Sequence, residues 1–180
     1  MNVKLTIAKK APDFRFKTPW DNETGFYNAV GHHPAILIFL RYIGCPVCQM
    51  EMARIKGEVA QVRVKGLRVF VVLQSPAETI SALINQDDFS FTIICDPKGK
   101  IFQLYGVEAG GIFRYLHPEG AIAAIRAISR GFKHGKFEGK ETQVPAAFAM
   151  SSDKLLKYAY YGAHVGDVPA LEQMLVSFRE

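Results

Sequence analysis

Three short, uninterrupted apolar runs alternate with helical patterns along this chain, and that alternation admits few folds. "AILIFL" at 35–40 lies between Pro34 and the Gly44-Cys45-Pro46 turn, "LRVFVVL" at 67–73 between Gly66 and Ser75-Pro76, and "FTII" at 91–94 ends on the turn sequence Asp96-Pro97-Lys98-Gly99. A strand buried on both faces reads as an unbroken apolar run, because neither face meets water. Between the first two runs, Cys48, Met52, Ile55, Val59 and Val62 recur at helical spacing as one apolar stripe, with Glu51, Arg54, Glu58 and Gln61 off it and free to face water. "AETISALINQ" supplies a second helix before the third run. Strands alternating with helices imply a mainly parallel sheet covered on both sides, an α/β fold.

The C-terminal part departs from that rhythm. "PAAFAM" and "LLKYAYYG" read as a hairpin turning at Ser151-Ser152-Asp153-Lys154, and Asp167 is placed to cap a last helix that starts near Val168-Pro169 and buries Leu171, Met174, Leu175 and Phe178. Residues 108–140 fit neither pattern: glycine-rich at both ends, with a central helix lined on one side by Ile122, Ile125 and Ile128, and basic through Arg126, Arg130, Lys133, Lys136 and Lys140. They read as an insertion on or beside the sheet, either a helix on the core with solvated charges or a lid, partner site or anionic-surface contact. At 180 residues, the whole chain 1–180 is expected to form one domain with an N-terminal extension and this insertion.

Charge and cysteine count bound the setting. A net charge of +5 is too small an excess to argue for nucleic acid. Three cysteines are odd in number, which favours a reducing compartment, where a close pair tends to be catalytic or metal-binding. Lysines at 4, 9 and 10 without an apolar core to follow give no signal peptide, and no apolar stretch reaches the roughly 18 residues that a membrane span needs. A soluble cytoplasmic protein is expected.

Cys45 and Cys48 carry the chemistry. Cys45 stands where the strand turns into the helix, at the N-cap, and Pro46 takes the first helical position, where its missing N–H costs nothing. The free amides of Val47 and Cys48 then face the Cys45 sulfur and favour the thiolate, while Cys48, on the buried stripe, lacks such donors. An exposed, anion-stabilised sulfur with a more buried one three residues on suits a redox cycle: Cys45 attacks a disulfide or a peroxide, Cys48 resolves, and an external thiol reduces the new bond. Zinc is the rival reading, but the chain offers only Cys95 and scattered histidines to complete a site, with His32 and His33 at the far edge of the sheet. Cys95 ends the third run at the same edge as Cys45 and reads as a packed thiol or an alternative resolving one. His117, His134 and His164 show no general-base spacing.

With the pair on a strand-to-helix turn, the chain resembles a thioredoxin-fold protein, and more closely the peroxiredoxin-like branch of the alkyl hydroperoxide reductase/thiol-specific antioxidant (AhpC/TSA) superfamily. "APDFRF", "FLRYIGCPVC", "FTIICDPKGKIFQLYGV" and "YAYYGAHVGDVPALEQML" carry the likeness. The resemblance implies a central mixed sheet flanked by helices, antioxidant thiol oxidoreductase activity through Cys45 and Cys48, no cofactor, no bound metal, and a thioredoxin-type reductant as partner. It also implies that Val144-Pro145 takes the role of the fold's cis-proline, its backbone pairing with substrate, and that Arg41, Gly44, Pro46 and Val47 surround the pair. The peroxiredoxin pattern is departed from in two respects: Ile38 and Tyr42 stand where it has Pro and Thr or Ser, and Pro145 stands about where its activating arginine falls, leaving Arg41 the nearest candidate. Two alternatives stay open, a thiol–disulfide oxidoreductase without peroxidase activity and a non-catalytic metal- or partner-binding module. The sequence fixes no oligomeric state, and a homodimer is compatible with it.

Overall fold

The computed structural model describes residues 3–111 and 117–178, so the part of the insertion at 112–116 lies outside the described residues. In chain order the elements are β1 (Arg15–Phe16), β2 (Thr24–Gly25), α1 (Phe26–Val30), β3 (Ala35–Phe39), α2 (Pro46–Arg63), β4 (Arg68–Leu73), α3 (Ala77–Ser81), β5 (Thr92–Cys95), α4 (Lys100–Leu104), α5 (Pro118–Ser129), β6 (Ala146–Met150), β7 (Leu156–Tyr161) and α6 (Leu171–Leu175). The main sheet runs β5-β4-β3-β6-β7. β3, β4 and β5 are parallel, and β6 and β7 are antiparallel to their neighbours, which makes the sheet mixed.

The apolar runs are continuous because both sheet faces are covered. Ile36 and Ile38 of β3 face one layer with the α2 stripe of Cys48, Met52, Ile55, Val59 and Val62 and with Leu171 and Met174 of α6. Leu37 and Phe39 face the other, with Phe26 of α1, Phe102 of α4 and Phe148 of β6. A hairpin of β1 and β2 leads into α1 as the N-terminal addition, and Tyr105 after α4 stacks edge-on to Phe14 and packs on Phe39 and Phe148. Asp96, buried after β5, accepts from the amides of Lys100, Ile101 and Phe102 and so fixes the start of α4 from four residues upstream.

Several local expectations change. Glu51 is buried rather than solvated, because Arg54 pairs with both Glu51 and Glu58 across one turn and also reaches the carbonyls of Val168 and Pro169. Asp167 does not cap the last helix; it accepts from the Tyr160 hydroxyl and the Ala163 amide, closing the 163–167 loop, while Gln173 reaches back to the Ala170 amide at the start of α6. In α5 the isoleucine side faces outward: Ile122, Ile125 and Ile128 are 53, 68 and 63% exposed, and Gly120, Ala123 and Ala127 form the buried face. Small residues there let α5 approach α2 and the 163–167 loop closely; a Cβ added at Gly166 would stand 2.6 Å from that of Ala123. Among the described residues no helix is long and apolar enough to cross a membrane.

Candidate active site

The chain leaves β3 through a loop pinned at each step. The Leu40 amide donates to Val72, Gln74 N–H to the Arg41 carbonyl, and Ile43 N–H to the Ser75 hydroxyl. This sets Cys45 as the N-cap of α2 with Pro46 at the first helical position, and the Cys48 amide points at the Cys45 sulfur from 3.5 Å. Arg41, four residues earlier, turns back on the same sulfur: Nη2 lies 2.9 Å from Cys45 Sγ, and Nη1 binds the backbone carbonyl of Glu141 and approaches its carboxylate at 3.4 Å. Arg41 is itself buried, so its charge acts on the sulfur with little screening by water.

The two thiols are strongly unlike. Cys45 is lowered from 9.0 to about 6, first by a hydrogen bond from the Cys48 thiol, against the opposing effect of burial, then by the Arg41 charge and the Cys48 amide. Cys48 is pushed well above 9.0, first by burial and then by its bond to Cys45. The pair therefore loses one proton far more readily than two, and the single charge is held on Cys45. Cys95 sits on edge strand β5, two strands from β3 and so about 10 Å away. Burial drives its thiol up to about 12, which leaves it a packed thiol rather than a ready nucleophile.

Cys45 is not exposed, as its N-cap position suggests, but 0% accessible. The loop that carries it is overlaid by the chain that follows α5. After α5, residues 131–143 return as a strap across the loop: Gly135 N–H donates to the Gly44 carbonyl, Gln49 Nε2 bridges the carbonyls of Ile43 and Lys133, His134 meets the Tyr42 hydroxyl at 3.2 Å, and the Lys140 amide donates to Gln74. Gly44 must be glycine for this approach, since a Cβ there would stand 2.5 Å from the Lys136 carbonyl oxygen. Nε of Arg41 and Oε1 of Glu141 are buried with no hydrogen-bond partner among the described residues.

Val144 and Pro145 lie at the same sheet edge, because β6 pairs with β3 at Phe39 and Ala146. The bond between them is trans; no cis peptide occurs among the described residues, which corrects the expected cis-proline. The Pro145 carbonyl accepts from Gly162 N–H, and the Val144 carbonyl from Gln143 Nε2, which also reaches the carbonyls of Val107 and Glu108. Sequence reasoning held a lid only as one alternative for residues 108–140, and it passed over Glu141 and the contact between His117 and His164, whose rings stack at 5.1 Å.

Comparison with known proteins agrees with this architecture. The chain is 28% identical over 86 residues to Peroxiredoxin-like 2C of Takifugu rubripes, a match that covers 46% of this chain and 38% of that protein's length. Among solved structures, the yeast mitochondrial 1-Cys peroxiredoxin superposes with a TM-score of 0.68 at 18% identity, covering 96% of this chain and 74% of that one. Peroxidoxin BcpB of Mycobacterium tuberculosis gives 0.66 at 12%, with 96% of each chain covered. A protein described as a thiol:disulfide interchange protein, DsbE, from Chlorobium tepidum gives 0.62 at 20%, covering 97% and 99%. These likenesses show a thioredoxin-like fold. The AhpC/TSA family model matches residues 7–159, from the N-terminal addition into β7, and the chain belongs to that family.

Proposed function

We propose that the protein is a thiol peroxidase in which Cys45 reduces a small hydroperoxide and Cys48 resolves the product. One observation carries the reading: the buried guanidinium of Arg41, the candidate that the sequence left for the activating role, lies 2.9 Å from the sulfur of a helix-capping cysteine. The Cys45 thiolate attacks the terminal oxygen of the hydroperoxide. The O–O bond breaks, Cys45 becomes a sulfenic acid, and the leaving alkoxide takes a proton and departs as an alcohol, or as water from hydrogen peroxide. The Cys48 sulfur then attacks Cys45, its proton leaves with the hydroxyl as water, and the disulfide formed is reduced by an external dithiol, with a thioredoxin-type protein the expected donor. The Arg41 Nε–H left without a partner offers a further donor, on the guanidinium that contacts the sulfur, for a peroxide oxygen.

Disulfide reduction is the second reading, favoured by Ile38 and Tyr42 in place of the peroxiredoxin Pro and Thr. Enclosure of the sulfur weighs against it, since a disulfide chain is far bulkier than a peroxide. The two separate on mixing reduced protein with hydrogen peroxide, an organic hydroperoxide and a small disulfide in turn, following formation of the Cys45–Cys48 bond by mass and rate. The peroxides are expected to react faster by at least about tenfold, and a disulfide that outruns both would reverse the assignment.

The strap makes a separate prediction. Gly44→Ala drives a methyl group into the Lys136 backbone, so the strap must lift. Denaturant unfolding should show a loss of about 1–3 kcal/mol, typical of overpacking. A bulky aromatic disulfide, slow on the wild type, should label Cys45 faster; unchanged labelling would mean that the strap does not control access.

A further inference from the structure

We propose that His117, Glu119 and His164 form a binding site for a divalent transition-metal ion, zinc first among them, that joins the insertion to the loop after β7. One ligand-type atom from each of the three lies within 4.8 Å of the others. His164 Nε2 and Glu119 Oε2 are already 3.0 Å apart, and Nδ1 of His117 is buried with no hydrogen-bond partner among the described residues. Two imidazoles and one carboxylate are a donor set that suits zinc and related ions, whereas magnesium and calcium prefer oxygen.

The site is held by rigid supports rather than by chance proximity of surface groups. His117 holds the N-cap position of α5 with its side chain making no capping bond, and Pro118 fixes the first turn, so His117 and Glu119 enter on one short, constrained piece of chain. His164 is 12% exposed and sits in the loop that Asp167 closes through Tyr160 and Ala163, with the first turn of α5 packed against it: a Cβ at Gly120 would lie 3.5 Å from that of His164. A helix N-terminus repels a cation, so Glu119 must supply the compensating charge. Ligation through His164 Nε2 places that ring's proton on Nδ1 and gives up the long 3.3 Å contact from the Gly166 amide. The same loop packs on Val47, between the two cysteines, through Gly166, so an ion here would tie the redox helix, the insertion helix and the β7 loop together.

Zinc chloride titrated calorimetrically into full-length protein with all three cysteines replaced by serine tests this without competition from thiols. One ion per chain is expected, with magnesium chloride giving no heat of binding. His117→Ala and His164→Ala should each weaken zinc by at least about tenfold, and so should Glu119→Gln, at an exposed carboxylate whose loss does not threaten folding. Zinc should also raise the thermal midpoint of the parent and not of the variants, by the mass-action linkage of a ligand that binds only the folded state. No stoichiometric uptake at millimolar zinc, or equal affinity in the parent and all three variants, would overturn the site.

Discussion

Replacing Cys45 by serine is expected to reduce peroxide turnover by at least about three orders of magnitude, because a hydroxyl is not ionised at neutral pH and no other thiol stands ready to replace it. Cys95 is two strands away and its thiol is pushed up to about 12, and Cys48 is pushed well above its ordinary value by burial. The Cys48 variants separate two roles of the second thiol. Cys48→Ser keeps a hydroxyl able to donate to Cys45, so the first oxidation should persist while cycling stops, with Cys45 trapped as a sulfenic acid one oxygen heavier by intact mass. Cys48→Ala removes that donor, the largest influence lowering Cys45, and should slow the first oxidation at pH 7 as well. Stopped-flow rates with matched mass spectra decide it. A Cys45→Ser protein that turns over at the wild-type rate would end the nucleophile assignment, and a Cys48→Ser protein that cycles normally would end the resolving one.

What the sequence made legible follows from where burial is uniform. β3 and β4 are covered on both faces and so spell themselves as apolar runs, and the α2 stripe keeps its period because one side meets the sheet throughout. The N-cap cysteine with Pro46 behind it was legible for the same reason: cap chemistry is local. Features set by distant chain were not. The crossing of residues 131–143 over the Cys45 loop involves a glycine- and lysine-rich stretch with no repeat to read, and whether Arg41 faces the sulfur depends on loop dihedrals that no periodicity reports. Asp167 had the sequence context of a cap, yet the hydroxyl of Tyr160, seven residues back on β7, claims its carboxylate. The outward turn of Ile122, Ile125 and Ile128 reflects close approach winning over side-chain size, since only Gly120, Ala123 and Ala127 let α5 settle on α2 and the β7 loop.

Arg41→Met is expected to move the pH dependence of the first oxidation upward. In the wild type the reactive thiolate forms with a midpoint at about 6, so the rate should be flat above pH 7 and fall roughly tenfold per unit below the midpoint. The Arg41 charge and its contact both lower Cys45, so removing them shifts the midpoint toward the ordinary 9.0. At pH 7 the loss should be roughly 10- to 100-fold, made of a smaller thiolate fraction and a missing donor to the peroxide. Arg41→Lys, which keeps a charge but not the planar fork, should fall between the two. Stability carries the same signature with a definite sign. Because the folded state holds Cys45 below its unfolded value, this group's stabilisation is complete above pH 9 and disappears as pH falls toward 6. Denaturant unfolding at pH 9.5 and 5.5 should therefore show a pH-dependent gap between wild type and Arg41→Met that closes at the acid end. Arg41 also ties down the strap through the Glu141 carbonyl, and losing that tie alone would lower stability equally at both pH values and leave the kinetic midpoint in place. An unmoved midpoint would assign Arg41 to the architecture of the site and not to its thiolate.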